Sequence, residues 1–375
     1  MPESIALGQP TFDDQELAGV AAVLESGWVA GQGPVAREFE ARFADLCATA
    51  GALSVSNCTA GLHLAILALG AGPGDEVIVA DYTFPATGHA VLYTGAKPVF
   101  ADVRPDIWSV DPAAVEALRS PRTVGIIGVD PFGQPADYTQ LRSIADRHGL
   151  WLLEDAACSA GATYRGRPTG SLADAACFSF HGRKGITAGE GGAITSDDAA
   201  LLARARKQHF FGVESAFARA GATGLPVPVF DDIGWNYKLS EIGAAVVSAQ
   251  LRKLPRLLAA RRHVAARYAE LLGDCDDVGL PVELPDRQTA WQSYVLTLAS
   301  HLDRGEVAAE LRVRGVQCTI GTYASHLQPV YGPQPGCPVS ADIFGRHLAI
   351  PMHANLTDAQ IDTVAKAVRE AVTTA

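Results

Sequence analysis

Short aliphatic runs alternate with amphipathic helical stretches over the first two thirds of the chain, and few architectures can satisfy that pattern. Glu76–Ala80, Lys97–Ala101, Thr123–Val129 and Leu150–Glu154 are rich in valine, isoleucine and leucine and are bounded by glycine, proline or aspartate. Runs of this length and composition read as strands buried on both faces. Ala52–Ser56 and Ala175–Phe180 read as strands too. The helical spacing predicts helices over Thr59–Leu69, Pro85–Tyr93, Pro112–Leu118 and Tyr138–His148. Asp111-Pro112 supplies a cap followed by proline at the first helical position. Strand–helix–strand alternation implies an α/β fold with a mostly parallel sheet covered on both faces.

The pattern changes after residue 238. A helical stretch covers Leu239–Leu272, with a break expected at Pro255. A Pro-rich loop (Leu280–Asp286), a strand at Tyr294–Leu298 and helices at Val307–Arg314 and Asp358–Val372 follow. A chain of 375 residues exceeds what one core usually fills. The reading is a large α/β domain over residues 1–250 and a smaller α+β domain over residues 251–375. The hinge is expected inside Leu239–Leu272, and the N-terminal segment is a candidate to pack on the smaller domain.

A net charge of −11 argues against nucleic acid as a partner, because binding phosphates on that scale needs a basic field. The N-terminus carries acids rather than a basic, apolar export signal, and no apolar run reaches membrane-spanning length. The seven cysteines form no C-x-x-C pair. Reduced thiols and a cytoplasmic location are expected, with no metal site.

Open α/β sheets bind ligands beyond the carboxyl ends of their strands. Asp155 follows Leu150–Glu154, and a carboxylate there is costly unless it caps a helix or meets a cation. His181-Gly182-Arg183-Lys184-Gly185 and then Gly189-Glu190-Gly191-Gly192 follow Ala175–Phe180. A lysine held in such a loop can form a Schiff base with an aldehyde, or it is simply solvated. Asn57-Cys58-Thr59-Ala60-Gly61 opens a helix, where free amides favour an anion. Ser179 could add a hydroxyl. Phe84, in Asp81-Tyr82-Thr83-Phe84, could stack on a flat heterocycle or belong to the core. No G-x-S-x-G or Walker A motif competes. Together these residues outline a site for pyridoxal 5'-phosphate, with Lys184 as the holding lysine and Asp155 as the acid beneath the ring nitrogen.

The stretches VSNCTAGLHLAI, GPGDEVIVADYTFPAT, LLEDAACSAGA, CFSFHGRKGITAGEGGAI and IGWNYKLSEIGAA resemble the DegT/DnrJ/EryC1 family of fold-type I, pyridoxal-phosphate-dependent sugar aminotransferases. The resemblance runs from Gly27-Trp28 to Leu348–Pro351. It implies an aspartate-aminotransferase-like fold with a seven-stranded central sheet and a homodimer with shared active sites. It implies that Lys184 holds the cofactor and shuttles the proton, that Asp155 pairs with the ring nitrogen, and that Phe84 stacks on the ring. Thr59, with the backbone around Cys58 and Ala60, would bind the phosphate, helped by Ser179. Asn236 would reach the phosphate in the neighbouring subunit. Two positions depart from the family pattern: Cys58 replaces a common glycine, and Cys158 replaces a Gln or His beside the ring hydroxyl.

The reaction implied is amino transfer from L-glutamate, or L-glutamine, to a keto-sugar tethered by a nucleotide. A cyclitol or other natural-product ketone is the competing acceptor. Sugar dehydratases on the same fold replace the lysine with histidine, and this chain has Lys184. A catalytically silent cofactor-binding subunit would not need the complete set. Arg183, Tyr323 and His326 are candidates to face the sugar or diphosphate, and His181 and Glu190 the donor. Each equally reads as a surface or packing residue.

Overall fold

The computed structural model describes residues 4–213 and 228–374. Seven strands form the principal sheet: β1 (Gly51–Val55), β2 (Glu76–Ala80), β3 (Lys97–Ala101), β4 (Thr123–Val129), β5 (Trp151–Asp155), β6 (Ala175–Ser179) and β7 (Gly192–Ser196). Their spatial order is β1-β7-β6-β5-β4-β2-β3. From β6 to β3 every neighbouring pair is parallel, whereas β7 runs antiparallel to both β1 and β6. The sequence reading took residues 189–192 only as a glycine-rich loop. The reversal follows from the connection: β6 returns as β7 through a short loop, with no crossover helix to carry the chain back for a parallel pairing.

Alternate residues of the strands face opposite layers, as period two requires. Val77, Val79, Ile127 and Leu153 pack with Leu62 and Ile66 of α3 (Cys58–Ala68) and with α4 (Ala86–Tyr93). Ile78, Ile126 and Leu152 pack on the other face with Leu141 and Ile144 of α6 (Tyr138–His148) and Val115 of α5 (Pro112–Leu118). Near β1 and β7, Phe39 and Phe43 of α2 (Pro34–Cys47) meet Phe178 and Phe180, with edge-to-face centroid distances of 4.9–5.4 Å.

A second sheet is antiparallel throughout, ordered β8 (Val278–Gly279), β9 (Tyr294–Leu298), β11 (His347–Ile350) and β10 (Thr319–Ile320). The C-terminal helix Asp358–Thr374 and the helix Arg304–Val313 close its core through Leu311, Ile361, Val364 and Val368. The N-terminal segment is stitched to this part. Ile5 bridges Val316, and the Leu7 carbonyl accepts from the Met352 amide at 3.0 Å.

One helix, Glu241–Leu272, joins the two regions as a single 32-residue element. The break expected at Pro255 is absent. Proline removes one i→i−4 hydrogen bond and crowds the preceding turn. Packing of this helix against Asp14–Ser26, α2 and the C-terminal helix holds the turn in place. The division drawn between residues 250 and 251 falls inside it.

Candidate active site

The strand ends β5 and β6 lie side by side, with Asp155 opposite Cys177 in the register. Asp155 closes β5 rather than following it, because the ladder with β4 runs on to Val129 opposite Asp155. Its carboxylate is buried, at 5 % exposure. Oδ2 accepts from Thr87 Oγ1 at 2.7 Å and Oδ1 from the Ala157 amide at 3.2 Å. Burial raises its pKa above the ordinary aspartate value, against the opposing effects of those two donors and of Lys184. Among the described residues, no ion pair reaches it.

Lys184 lies on the loop between β6 and β7, and its Nζ lies 3.0 Å from Cys158 Sγ. Burial disfavours charge on the amine, but the Cys158 contact, with Cys58 and Asp155 nearby, outweighs burial and raises its pKa. The loop backbone is fixed where the amine needs it: Arg261 Nη2 donates to the Lys184 carbonyl at 3.2 Å, and the Lys184 amide donates to His181 O at 2.9 Å.

At the end of β1, Asn57 caps α3 by accepting from the Ala60 amide at 2.8 Å. The helix therefore starts at Cys58, and the first-turn amides of Cys58 and Thr59 have no intrahelical acceptor. Gly192 makes this end accessible: a Cβ there would stand 2.7 Å from Asn57 C, Cys58 N and Phe178 O. Ser179 faces Gly192 across the β6–β7 ladder, beside that helix end. Cys58 is buried and Thr59 half-buried.

The remaining predicted residues are spread around this centre. Phe84 is 64 % exposed, with its ring centroid 6.1 Å from that of Tyr323. His326 Nδ1 is 2.7 Å from Asp81 Oδ2, and its amide donates to Oδ1. The Cys337 thiol is near both, and the donor atoms of the three lie within 4.8 Å of one another. His181 Nε2 and Glu190 Oε1 are 3.7 Å apart at the surface. Arg183 is exposed, and its carbonyl accepts from Gln292 Nε2 at 3.0 Å. Asn236 is also exposed, bridged to Phe210 and bonded through Oδ1 to Lys238.

Three contributors lay outside the sequence reading. Thr87 orients the Asp155 carboxylate from the first turn of α4. Arg261 braces the lysine loop. Behind Asp155, Asp130 and Glu154 form a buried acid pair. Asp130 accepts from Ser159 Oγ at 2.6 Å, Tyr138 Oη at 2.8 Å and the Ala136 amide at 2.9 Å. Burial pushes Asp130 up to about 6, and Glu154 well above the carboxylate range with help from the Asp130 charge.

The DegT/DnrJ/EryC1/StrS aminotransferase family matches residues 10–369. The chain belongs to that family. It is 37 % identical over 366 residues to GDP-perosamine synthase of Caulobacter vibrioides (strain ATCC 19089 / CIP 103742 / CB 15), covering 96 % of each chain. It is 33 % identical to the spore coat polysaccharide biosynthesis protein SpsC of Bacillus subtilis (strain 168), covering 97 % of this chain and 96 % of the other. The crystal structure of the aminotransferase TlmJ from Streptoalloteichus hindustanus superposes with a TM-score of 0.92 at 32 % identity, covering 99 % of both chains.

Membership of the DegT/DnrJ/EryC1/StrS family makes the chain an aminotransferase with pyridoxal 5'-phosphate as its cofactor. Its own residues fit that group. A buried carboxylate without a paired cation suits a protonated ring nitrogen. A helix start kept clear by Gly192 suits a phosphate. The Lys184 amine, on the loop between β6 and β7, reaches Cys158 Sγ on the segment that follows Asp155.

Proposed function

We propose that this aminotransferase moves an amino group from L-glutamate to a keto-sugar carried on a nucleoside diphosphate. The observation that carries the reading is the convergence of Lys184 and Asp155 from adjacent strand ends beside the open start of α3. GDP-perosamine synthase among the relatives and DesI, a structure determined with its TDP-sugar product and matched at 35 % identity, support the acceptor class.

Bound here, pyridoxal phosphate supplies the carbonyl that receives the amino group and the ring that accepts electrons from the donor's α-carbon. Lys184 Nζ would hold that carbonyl, and as a free amine it would carry the proton at the donor's α-carbon. Asp155 holds a proton at the ring nitrogen, and Thr87 keeps its Oδ2 turned inward. The Cys58 and Thr59 amides, the backbone around Ala60 and the Ser179 hydroxyl hold the phosphate. Phe84 would stack on the ring. Cys158, beside the lysine amine, would be the neighbour of the ring hydroxyl. Asn236 reaches the phosphate site of a second copy, and the working unit is a homodimer located in the cytoplasm. Exposed Phe211, whose amide donates to the Trp235 carbonyl next to Asn236, supports such an interface.

The visible absorption of the purified protein tests this. With L-glutamate and no ketone, the visible band of the bound cofactor should fall while a near-ultraviolet band rises. A nucleotide-linked keto-sugar should then restore it. A visible band that glutamate leaves unchanged would remove the proposed donor.

A further inference from the structure

Arg261 does more than brace the lysine loop. It is only 6 % exposed, and its Nε and Nη1 find no hydrogen-bond acceptor among the described residues. The single bond of its guanidinium goes from Nη2 to the Lys184 carbonyl. A guanidinium stays charged in proteins, and a buried charge normally meets a counter-charge. No carboxylate here provides one. Glu16 is committed to Lys253, Gln250 and the Asp13 amide, and Asp13 to Lys253, Arg256 and the Gln15 amide. The titratable side chains nearby are the Cys158 thiol, which favours the charged guanidinium, and His353, which burial holds toward its neutral form.

Arg261 borders a small cavity together with Gln9, Thr11, Lys184, Gly185 and Thr187. Its free space accommodates a group about the size of one water molecule. The walls come from three parts of the chain: the N-terminal segment, the lysine loop and the long helix Glu241–Leu272. Arg261 supplies its cationic group, since the Lys184 amine is turned to Cys158, and no carboxylate lines it.

We infer that this cavity is a binding site for one halide ion, held by Arg261 Nε and Nη1. The anion ties the N-terminal segment to the loop that carries Lys184. The site is separate from the phosphate cradle at α3, and it does not depend on the identity of the amino acceptor.

Thermal unfolding of the full-length holoprotein reads this out. In sodium gluconate at fixed ionic strength, replacing gluconate by bromide should raise Tm saturably, by about 1–3 °C. Gluconate is too large for the cavity and serves as the control. Arg261→Met should abolish the response. Arg261→Lys, which keeps the charge if the methionine variant fails to fold, should retain a weaker one. Bromide anomalous diffraction from crystals of the native protein should place a peak between Nε and Nη1. A Tm that responds equally to bromide and gluconate, with only water or a second copy's carboxylate at that position, would overturn the inference.

Discussion

Lys184 and Asp155 perform separable duties on the reading proposed here, and substitution should separate them. Lys184→Ala should lower turnover by at least about 10³-fold while leaving the circular-dichroism spectrum unchanged, because its amine has one side-chain contact, with Cys158. Normal turnover in that variant would remove the core of the mechanism. Both residues could be picked from sequence because each lies at or just beyond the end of a short apolar run, Leu150–Glu154 or Ala175–Phe180, where open sheets place ligands. Thr87 could not. A threonine in a helix's first turn reads as a local cap, and only the packing of α4 on α3, β2 and β3 turns it toward Asp155. Arg261 was hidden for a similar reason. An arginine in a long amphipathic helix reads as solvated, and its burial depends on the lysine loop closing over it.

At the scale of elements, the start of α3 depends on a residue from β7. Gly192→Ala would push a methyl group against backbone atoms of residues 57, 58 and 178 that have no rotamer to yield. The variant should bind pyridoxal phosphate at least about tenfold more weakly, measured by fluorescence titration, with Lys184 chemistry otherwise intact. The turn behind β4 and β5 makes a different prediction. Asp130 holds its proton to about 6 in the folded chain, against 3.8 when free. In that window the folded state binds more protons than the unfolded state, so this group's contribution to stability is lost as pH rises. Asp130→Asn removes the dependence. The Tm of the variant minus that of the native chain should therefore increase from pH 3.8 to about 6, and a flat difference would contradict the assignment. Strand positions such as Glu76–Ala80 and Tyr294–Leu298 were legible to the residue because their patterns are short and aliphatic. The reversed β7 was not, since glycines at 189, 191 and 192 mask the strand that begins there. Pro255 misled in the other direction: local rules break the helix, and tertiary packing overrides them.

For the whole molecule, the proposed homodimer predicts a sedimenting species of twice the 39.3 kDa chain mass. Asn236→Ala should weaken cofactor binding about tenfold without dissociating the dimer. Sedimentation velocity and cofactor titration on the same preparation check both, and a monomer with full activity would exclude shared sites. The dimer cannot be read from periodicity, because the residues that would build it are scattered loop positions with no common spacing.

The stitching of Ile5 and Leu7 to residues 315–317 and 352 has a consequence for synthesis. Leu7 leaves the ribosome 310 residues before its partner Gln317. The principal sheet can assemble while translation continues, but the N-terminal segment must wait, unpaired, for nearly the whole chain. A ribosome stalled near residue 300 would therefore display a folded sheet with a free leading end. Protease cleavage near residue 8 would distinguish that nascent state from the finished protein.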